Sequence, residues 1–111
     1  MTPLQFAELV MMYCAQVEGS VSSWGRTWWY NRLVGGVEFS GHRFWCGADV
    51  RCWDHLTGDE KVRVRRLLKD DGFAPAIFDL AERKKIAERL GLFLFAEDDH
   101  DHLQPLVWPR G

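Results

Sequence analysis

The sequence predicts an α+β fold in which three helices pack on a small antiparallel sheet. Three segments begin with helix-capping residues, and short apolar runs bounded by turn residues lie between and after them. Of the 111 residues 47% are hydrophobic, and six Trp with seven Phe supply bulky core material. This is enough for one core, so we expect a single domain over residues 1–111.

The first helix is predicted over residues 3–18. Thr2 supplies a capping hydroxyl, Pro3 has a φ preset for the first helical position, and Gly19 is a typical stop. The segment from Gly19 to Gly36 is irregular and predicts an ordered loop. The residues at helical spacing that we assign to the core are Phe6, Leu9, Val10, Tyr13, Cys14 and Val17.

A strand is predicted at "ADVRCW", residues 48–53, followed by a second helix. Thr57 and Glu60 match a capping box, and Gly72 ends this helix. Although "KVRVRRLLK" is basic, helical spacing gives it a buried side, so we interpret its charges as a solvated face. The residues of that buried side are Val64, Leu67 and Leu68.

The remaining elements are a short "AIF" strand at 76–78, a third helix and two final strands. The third helix begins at Leu80 after the cap Asp79, with Glu82 in its first turn, and ends at Gly91. The final strands, "LFLF" and "HDHLQPLV", are joined by an acidic turn. A mixed α and β architecture around a small antiparallel sheet is the simplest arrangement of these elements.

Charge and composition exclude several classes of function. A net charge of −2 argues against a general nucleic-acid binder, and no apolar run is long enough for membrane insertion. The first residues lack a basic region and include Glu8, so we expect synthesis in a bacterial cytoplasm without a signal peptide. We expect three reduced, packed thiols, Cys14, Cys46 and Cys52; Cys46 and Cys52 as metal ligands is a weaker alternative, because their spacing is not that of a zinc knuckle.

Four residues are candidate metal ligands. His100 and His102 are two residues apart, so on a strand both imidazoles lie on one face. His42 and Asp49 are seven apart and share a face only if the chain bends between them, which glycines at positions 41 and 47 allow. From spacing alone, an acidic surface turn with an unrelated, partly buried His42 is the simpler interpretation.

Three sequence motifs favour a metal site over the simpler surface-turn interpretation. "RTWWYN" at 26–31, "VGGVEFSGH" at 34–42 with Asp49 seven residues later, and "HDHLQP" at 100–105 follow one another in order. Together they resemble the signature of zinc D-Ala-D-Ala carboxypeptidases and L-alanyl-D-glutamate endopeptidases, the peptidoglycan-cutting metallopeptidases common among bacteriophage lysins. The resemblance extends over residues 24–105 and implies the D-Ala-D-Ala metallopeptidase-like (hedgehog-like zinc peptidase) fold.

The resemblance implies that His42, Asp49 and His102 bind Zn²⁺. Two imidazoles and one carboxylate leave a net positive metal that polarises a carbonyl and lowers the pKa of bound water. Asp99 matches the position of the catalytic acid or base, although some members of the family use the first histidine of the H-x-H pair, here His100. We favour Asp99 over His100.

Residues of the central segment would contact substrate. Arg26 matches the arginine that holds the substrate carbonyl and the developing oxyanion, with a loop-anchoring salt bridge as the alternative. Ser40 would hydrogen-bond substrate or a ligand, or stabilise a turn. Trp28 and Trp29 are candidates for the substrate pocket. Trp45 stands where the family usually has glycine, so the bend before Asp49 differs from the usual one.

The sequence therefore predicts a zinc peptidase acting on the peptide stems of bacterial peptidoglycan. We expect it to reach the cell wall after release from the host cell or within a phage particle. The alternative is a non-catalytic, zinc-stabilised binding or structural module of the same fold. A metal-dependent nuclease is a weaker third interpretation, because the chain is nearly neutral and lacks a phosphate-binding loop.

Overall fold

The protein is described by a computed structural model over residues 1–25 and 46–106. These residues form a small α+β structure with three α-helices and a four-stranded antiparallel sheet. The elements in chain order are α1 (Pro3–Val17), β1 (Ser20–Ser23), β2 (Ala48–Arg51), a 3₁₀ turn (Trp53–His55), α2 (Gly58–Asp70), α3 (Leu80–Arg89), β3 (Leu92–Ala96) and β4 (Asp101–Pro105). The coarse fold class predicted from sequence is confirmed.

The sheet brings together strands from the middle and the C-terminal part of the described chain. Its strand order is β1-β2-β4-β3, and all neighbouring strands are antiparallel. β4 lies between β2 and β3, so His102 is the Cα partner of Asp49 on one side and of Phe95 on the other. This register, rather than proximity in sequence, places Asp49 beside the histidine pair.

The helix starts are those the sequence predicts. At α1, the Thr2 hydroxyl accepts a hydrogen bond from the backbone N–H of Gln5. At α2, Thr57 and Glu60 form the predicted capping box. At α3, the Asp79 carboxylate accepts from the backbone N–H of Glu82 at 2.8 Å. The three hydrogen bonds satisfy backbone donors that have no partner within a helix.

Several predicted boundaries and strands are wrong. α1 ends at Val17, one residue early, with Glu18 at φ 53° before Gly19. The polar segment Ser20–Ser23, assigned to a loop, is a strand because it pairs with β2. The predicted strand at 76–78 is not one, and β2 ends at Arg51 because the chain turns into the 3₁₀ segment.

α2 lacks the buried side that its spacing predicts. No residue of this helix is fully buried; Leu67 is 66% exposed, while Val64 and Leu68 are half-buried. Helical periodicity identifies which residues share a face, but it does not supply a surface for that face to pack on.

The core lies between the helices α1 and α3 and one face of the sheet. Apolar side chains of the two helices meet alternate residues of β2, β3 and β4 there. All three cysteines are free thiols, with Cys46 and Cys52 buried, as expected. Within the described ranges, no helix is long and apolar enough to cross a bilayer. The buried core members are Phe6, Val10, Tyr13, Val17, Cys46, Ala48, Val50, Ile86, Ala87, Leu92, Leu94 and Leu103.

Candidate functional site

Strand β4 divides its side chains between two environments. Asp101, Leu103 and Pro105 are buried, whereas His102 and Gln104 are half-buried. Since successive side chains of a strand point to opposite faces, Asp101 enters the core while His102 lies on the other face of the sheet. Two polar groups therefore form, one on each side of β4.

The first group, which we call the open cluster, consists of Asp49, Asp99, His100 and His102. Its centre is the contact between Asp49 Oδ1 and His102 Nδ1, which are 3.1 Å apart. The side chains are 13% and 17% exposed. They meet because their Cα atoms are partners in the β2–β4 ladder. The resemblance assigns both residues to the metal site.

His100 and Asp99 extend the open cluster toward solvent. His100 Nε2 lies 3.6 Å from Asp49 Oδ1, and His100 Nδ1 lies 2.6 Å from Asp99 Oδ1. The hydrogen bond with His100 lowers the pKa of the Asp99 carboxyl. Because its side chain is 78% exposed, Asp99 is accessible to solvent and ionised near neutral pH. His100 thus lies beside Asp49, and Asp99 contacts His100.

A tight turn positions these two candidates. The backbone N–H of Glu97 donates to the carbonyl of His100 at 3.0 Å, which closes the connection between β3 and β4. From β2, Arg51 Nε donates to the Asp99 carbonyl at 3.1 Å. The same guanidinium donates to the His55 carbonyl and to Glu60. The turn is therefore anchored from the neighbouring strand.

The spacing of the Asp49 and His102 donor atoms fits a shared metal ion. Two ligands about 2.1 Å from a tetrahedral metal lie about 3.4 Å from one another. The observed 3.1 Å is close to this value and is also that of a direct hydrogen bond. A carboxylate oxygen and an imidazole nitrogen are a common donor pair for divalent metals.

The other predicted site residues lie outside the described residues. These are the third expected metal ligand, His42, and the expected substrate contacts Arg26, Trp28, Trp29 and Ser40. Their roles stay predictions. The described residues contribute two of the three expected ligands and both candidate bases.

The second group lies on the core side of β4. Cys52, His55 and Asp101 are all buried and offer ligand atoms that lie within 4.8 Å of one another. These three side chains could hold a metal ion. The sequence did not predict this group. Cys52 was a candidate metal ligand only together with Cys46, and neither His55 nor Asp101 was a candidate. Strand periodicity was the available signal, because it places Asp101 opposite its neighbouring histidines.

The atoms of His55 and Asp101 that could bind a metal already make hydrogen bonds. His55 Nδ1 accepts from the Cys52 backbone N–H at 2.9 Å, and His55 Nε2 lies 3.2 Å from Asp101 Oδ1. From these partners we assign the proton to Nε2. Burial lowers the pKa of His55 against the opposing effect of Asp101, which favours this neutral form.

Asp101 is the centre of this arrangement. Its carboxylate accepts from Arg83 Nε at 2.8 Å and from the Tyr13 hydroxyl at 3.2 Å, in addition to His55. Arg83 also donates to Asp54 at 2.6 Å and to the Phe78 carbonyl. We call Tyr13, Cys52, His55, Arg83 and Asp101 the buried network.

The buried network is complete without a metal. Within residues 1–25 and 46–106, every buried side-chain nitrogen or oxygen has a hydrogen-bond partner. A metal ion at Cys52, His55 and Asp101 would displace some of these bonds and would lie beside the Arg83 guanidinium. Burial also raises the pKa of the Cys52 thiol, which opposes the thiolate form that metals bind. These features oppose metal binding at the buried network, although its ligand atoms are the group of three that lies close together among the described residues.

Comparisons with protein-family models, with curated proteins and with solved structures gave no match to this chain. The family resemblance rests on the motif blocks of the sequence alone.

Proposed function

We propose that this protein is a zinc-dependent peptidase that hydrolyses the peptide stems of bacterial peptidoglycan. The observation that carries the proposal is the 3.1 Å approach of Asp49 Oδ1 and His102 Nδ1, with His100 next to Asp49 and Asp99 in contact with His100. Two residues that the motif blocks single out as ligands, 53 positions apart, are direct neighbours in the sheet. The proposed fold is that of the D-Ala-D-Ala metallopeptidases.

Asp49 and His102, with His42, would hold the zinc ion. When bound, the metal supplies a Lewis acid and lowers the pKa of a coordinated water. Asp99 is exposed and accepts a hydrogen bond from His100, so this pair can take up a proton at Asp99 Oδ1 or His100 Nε2 and return it to a leaving amine. Arg51 keeps the pair next to Asp49 through the Asp99 carbonyl.

A cavity that a peptide could enter borders strand β2 at Arg51, two residues beyond Asp49; its lining does not include any residue of the open cluster. A cavity of about 400 Å³ lies between the β1–β2 pair and α2, and Ser20, Ser22 and Arg51 contribute to its wall. Ser22 donates to the Asp49 carbonyl, so this wall continues into the strand that carries the proposed ligand. The volume is within the range of small-ligand pockets. It suits an extended peptide stem better than a polyanion, since the chain has a net charge of −2.

The place of action follows from the substrate. A peptidase of this type would be made in the bacterial host and reach peptidoglycan after release or with a phage particle.

A second candidate function is a zinc-stabilised module without catalysis. The buried group Cys52, His55 and Asp101 favours it, because thiolate, imidazole and carboxylate are all zinc ligands and these three lie within 4.8 Å of one another. In that case the metal would stabilise the core, and the open cluster would be a surface ion-pair group.

Mass spectrometry of fragments released from purified peptidoglycan tests the proposal. We expect the protein to release fragments that disappear with a zinc chelator and in the variants Asp49→Asn and His102→Ala. Asp98→Asn is the matched control, since it changes an exposed carboxylate of the same turn. Fragment release that survives chelation or Asp49→Asn would refute the proposal. Absence of fragments, with bound zinc that is lost in Cys52→Ser, would establish the non-catalytic module.

A further inference from the structure

We propose that Asp101 is a positioning residue for the metal site: its buried carboxylate fixes the start of β4 so that His100 and His102 face Asp49. This inference rests on the proposed function, because it assigns the buried network a role in metal binding on the opposite face of the sheet.

Asp101 is placed to control both histidines. It lies between them in sequence, and in the sheet it pairs with Val50 of β2 and Ala96 of β3. Its side chain is fully buried, while the histidines on either side reach Asp49 on the other face. Any rotation of the strand at Asp101 would therefore move both imidazoles relative to Asp49.

Three separate elements hold the Asp101 carboxylate. Tyr13 donates from α1, Arg83 donates from α3, and His55 donates from the 3₁₀ turn. These bonds cross 88, 18 and 46 residues of sequence. Because the donors belong to elements that pack in the core, the carboxylate is fixed relative to the rest of the fold.

The same bonds select the strand register. A slip of one residue would bring His102 or His100 into the core and place the Asp101 charge on the open face. It would remove the Asp101 carboxylate from the Arg83 guanidinium, whose side chain is 4% exposed and would keep only Asp54 as an anionic partner. The buried network thus opposes the misalignment that would separate His102 from Asp49.

Co²⁺ binding followed by absorption spectroscopy tests this role, since the visible spectrum reports ligand geometry independently of activity. We expect Asp101→Asn to weaken Co²⁺ binding by about 10- to 100-fold and to change the spectrum, as loss of a group that orients metal ligands does. Tyr13→Phe, which removes one hydrogen bond to Asp101, should weaken binding by a smaller factor.

Val10→Ala is the matched control. Val10 is fully buried in α1, one turn before Tyr13, and belongs to the apolar core. If Asp101 acts only through general stability, Val10→Ala should weaken Co²⁺ binding as much as Tyr13→Phe does. All titrations are made under conditions where each variant is folded.

If Asp101→Asn fails to fold, Co²⁺ binding by Tyr13→Phe tests the positioning role of Asp101. ¹⁵N spectra of the His100 and His102 rings are then a second readout. Unchanged binding and unchanged ring signals in Tyr13→Phe would overturn the positioning role. Co²⁺ binding that is absent from the unaltered protein, or that survives Asp49→Asn, would instead refute the proposed function. Loss of binding in Cys52→Ala would place the metal in the buried network and overturn both.

Discussion

The two faces of strand β4 use the same residue types for opposite purposes. On the core side, His55 and Asp101 are almost completely buried and are joined by Arg83 and Tyr13. On the other side, Asp49 and His102 remain partly accessible, and the carboxylate of Asp99 is largely in solvent. The two groups therefore differ in burial rather than in residue type.

The difference also shows why proximity of ligand atoms is a weak guide to a metal site. In the buried network, a thiol, an imidazole and a carboxylate lie close together. However, the two ring nitrogens of His55 already bond to different partners, the Cys52 backbone N–H and the Asp101 carboxylate. The open cluster has one carboxylate oxygen, Asp49 Oδ1, approached by two imidazoles. A metal site requires ligand atoms arranged around one vacant position, and among the described residues the set of three whose ligand atoms lie within 4.8 Å of one another is Cys52, His55 and Asp101.

The largest expected effect is that of Arg83→Met. Removal of this cation leaves Asp101 as an uncompensated buried charge, so we expect the free energy of unfolding to fall by about 3–5 kcal/mol. Urea unfolding followed by circular dichroism measures this. Arg66→Met, which changes an exposed arginine of α2, is the control and should have little effect. Equal effects of the two variants would show that the buried network does not stabilise the core.

We expect a smaller change in the free energy of unfolding when the pH is lowered, because His55 takes up a proton on unfolding. Burial places the pKa of the folded-state imidazole below its ordinary value of 6.5, so unfolding takes up a proton at acid pH. The contribution of neutral His55 to the free energy of unfolding is complete above about pH 6.5 and is lost as the pH falls. The limiting slope of this free energy against pH is about 1.4 kcal/mol per pH unit for one proton.

Urea titrations of the unaltered protein and of His55→Gln across this range check the sign. The variant should lose the part of the slope that comes from His55, because glutamine does not titrate. A His55-dependent stability that increases on acidification would mean that the folded-state pKa is raised, and an identical slope in the variant would mean that the pKa of His55 does not change on folding.

The smallest effect on stability is expected from Asp99→Asn, because this side chain is largely in solvent. We expect an unchanged urea midpoint together with a loss of peptide hydrolysis of about 10²- to 10⁴-fold, the usual contribution of a general base. His100→Gln is the companion variant. If hydrolysis survives Asp99→Asn and is lost in His100→Gln, the base is His100.

Local sequence patterns were sufficient for the helix starts and for the alternation of β4. Thr2, Thr57 and Asp79 were recognisable as caps because a capping residue acts on a backbone N–H three positions ahead. The period of two in β4 predicts that His100 and His102 share a face. The structure brings both of them to Asp49, a pairing to which the motif blocks pointed for His102.

The rest depends on contacts distant in sequence. Nothing near Asp101 indicates that Arg83 or Tyr13 will bind it, because that pairing arises only when α1 and α3 pack on the sheet. β1 was missed for the same reason: its sequence, "SVSS", has no alternating apolar pattern, and it is a strand because β2 offers an edge. Leu67 is exposed although its spacing places it on the apolar face of α2, because spacing does not determine what packs on that face.

The short turn between β3 and β4 makes this hairpin sensitive to length. Only residues 98 and 99 separate Glu97 from His100, whose backbones are hydrogen-bonded. Deletion or insertion of one residue in β4 would exchange its inward and outward side chains, whereas substitution at 98 keeps the alternation intact. Homologous sequences should therefore differ in the composition of this turn more readily than in its number of residues.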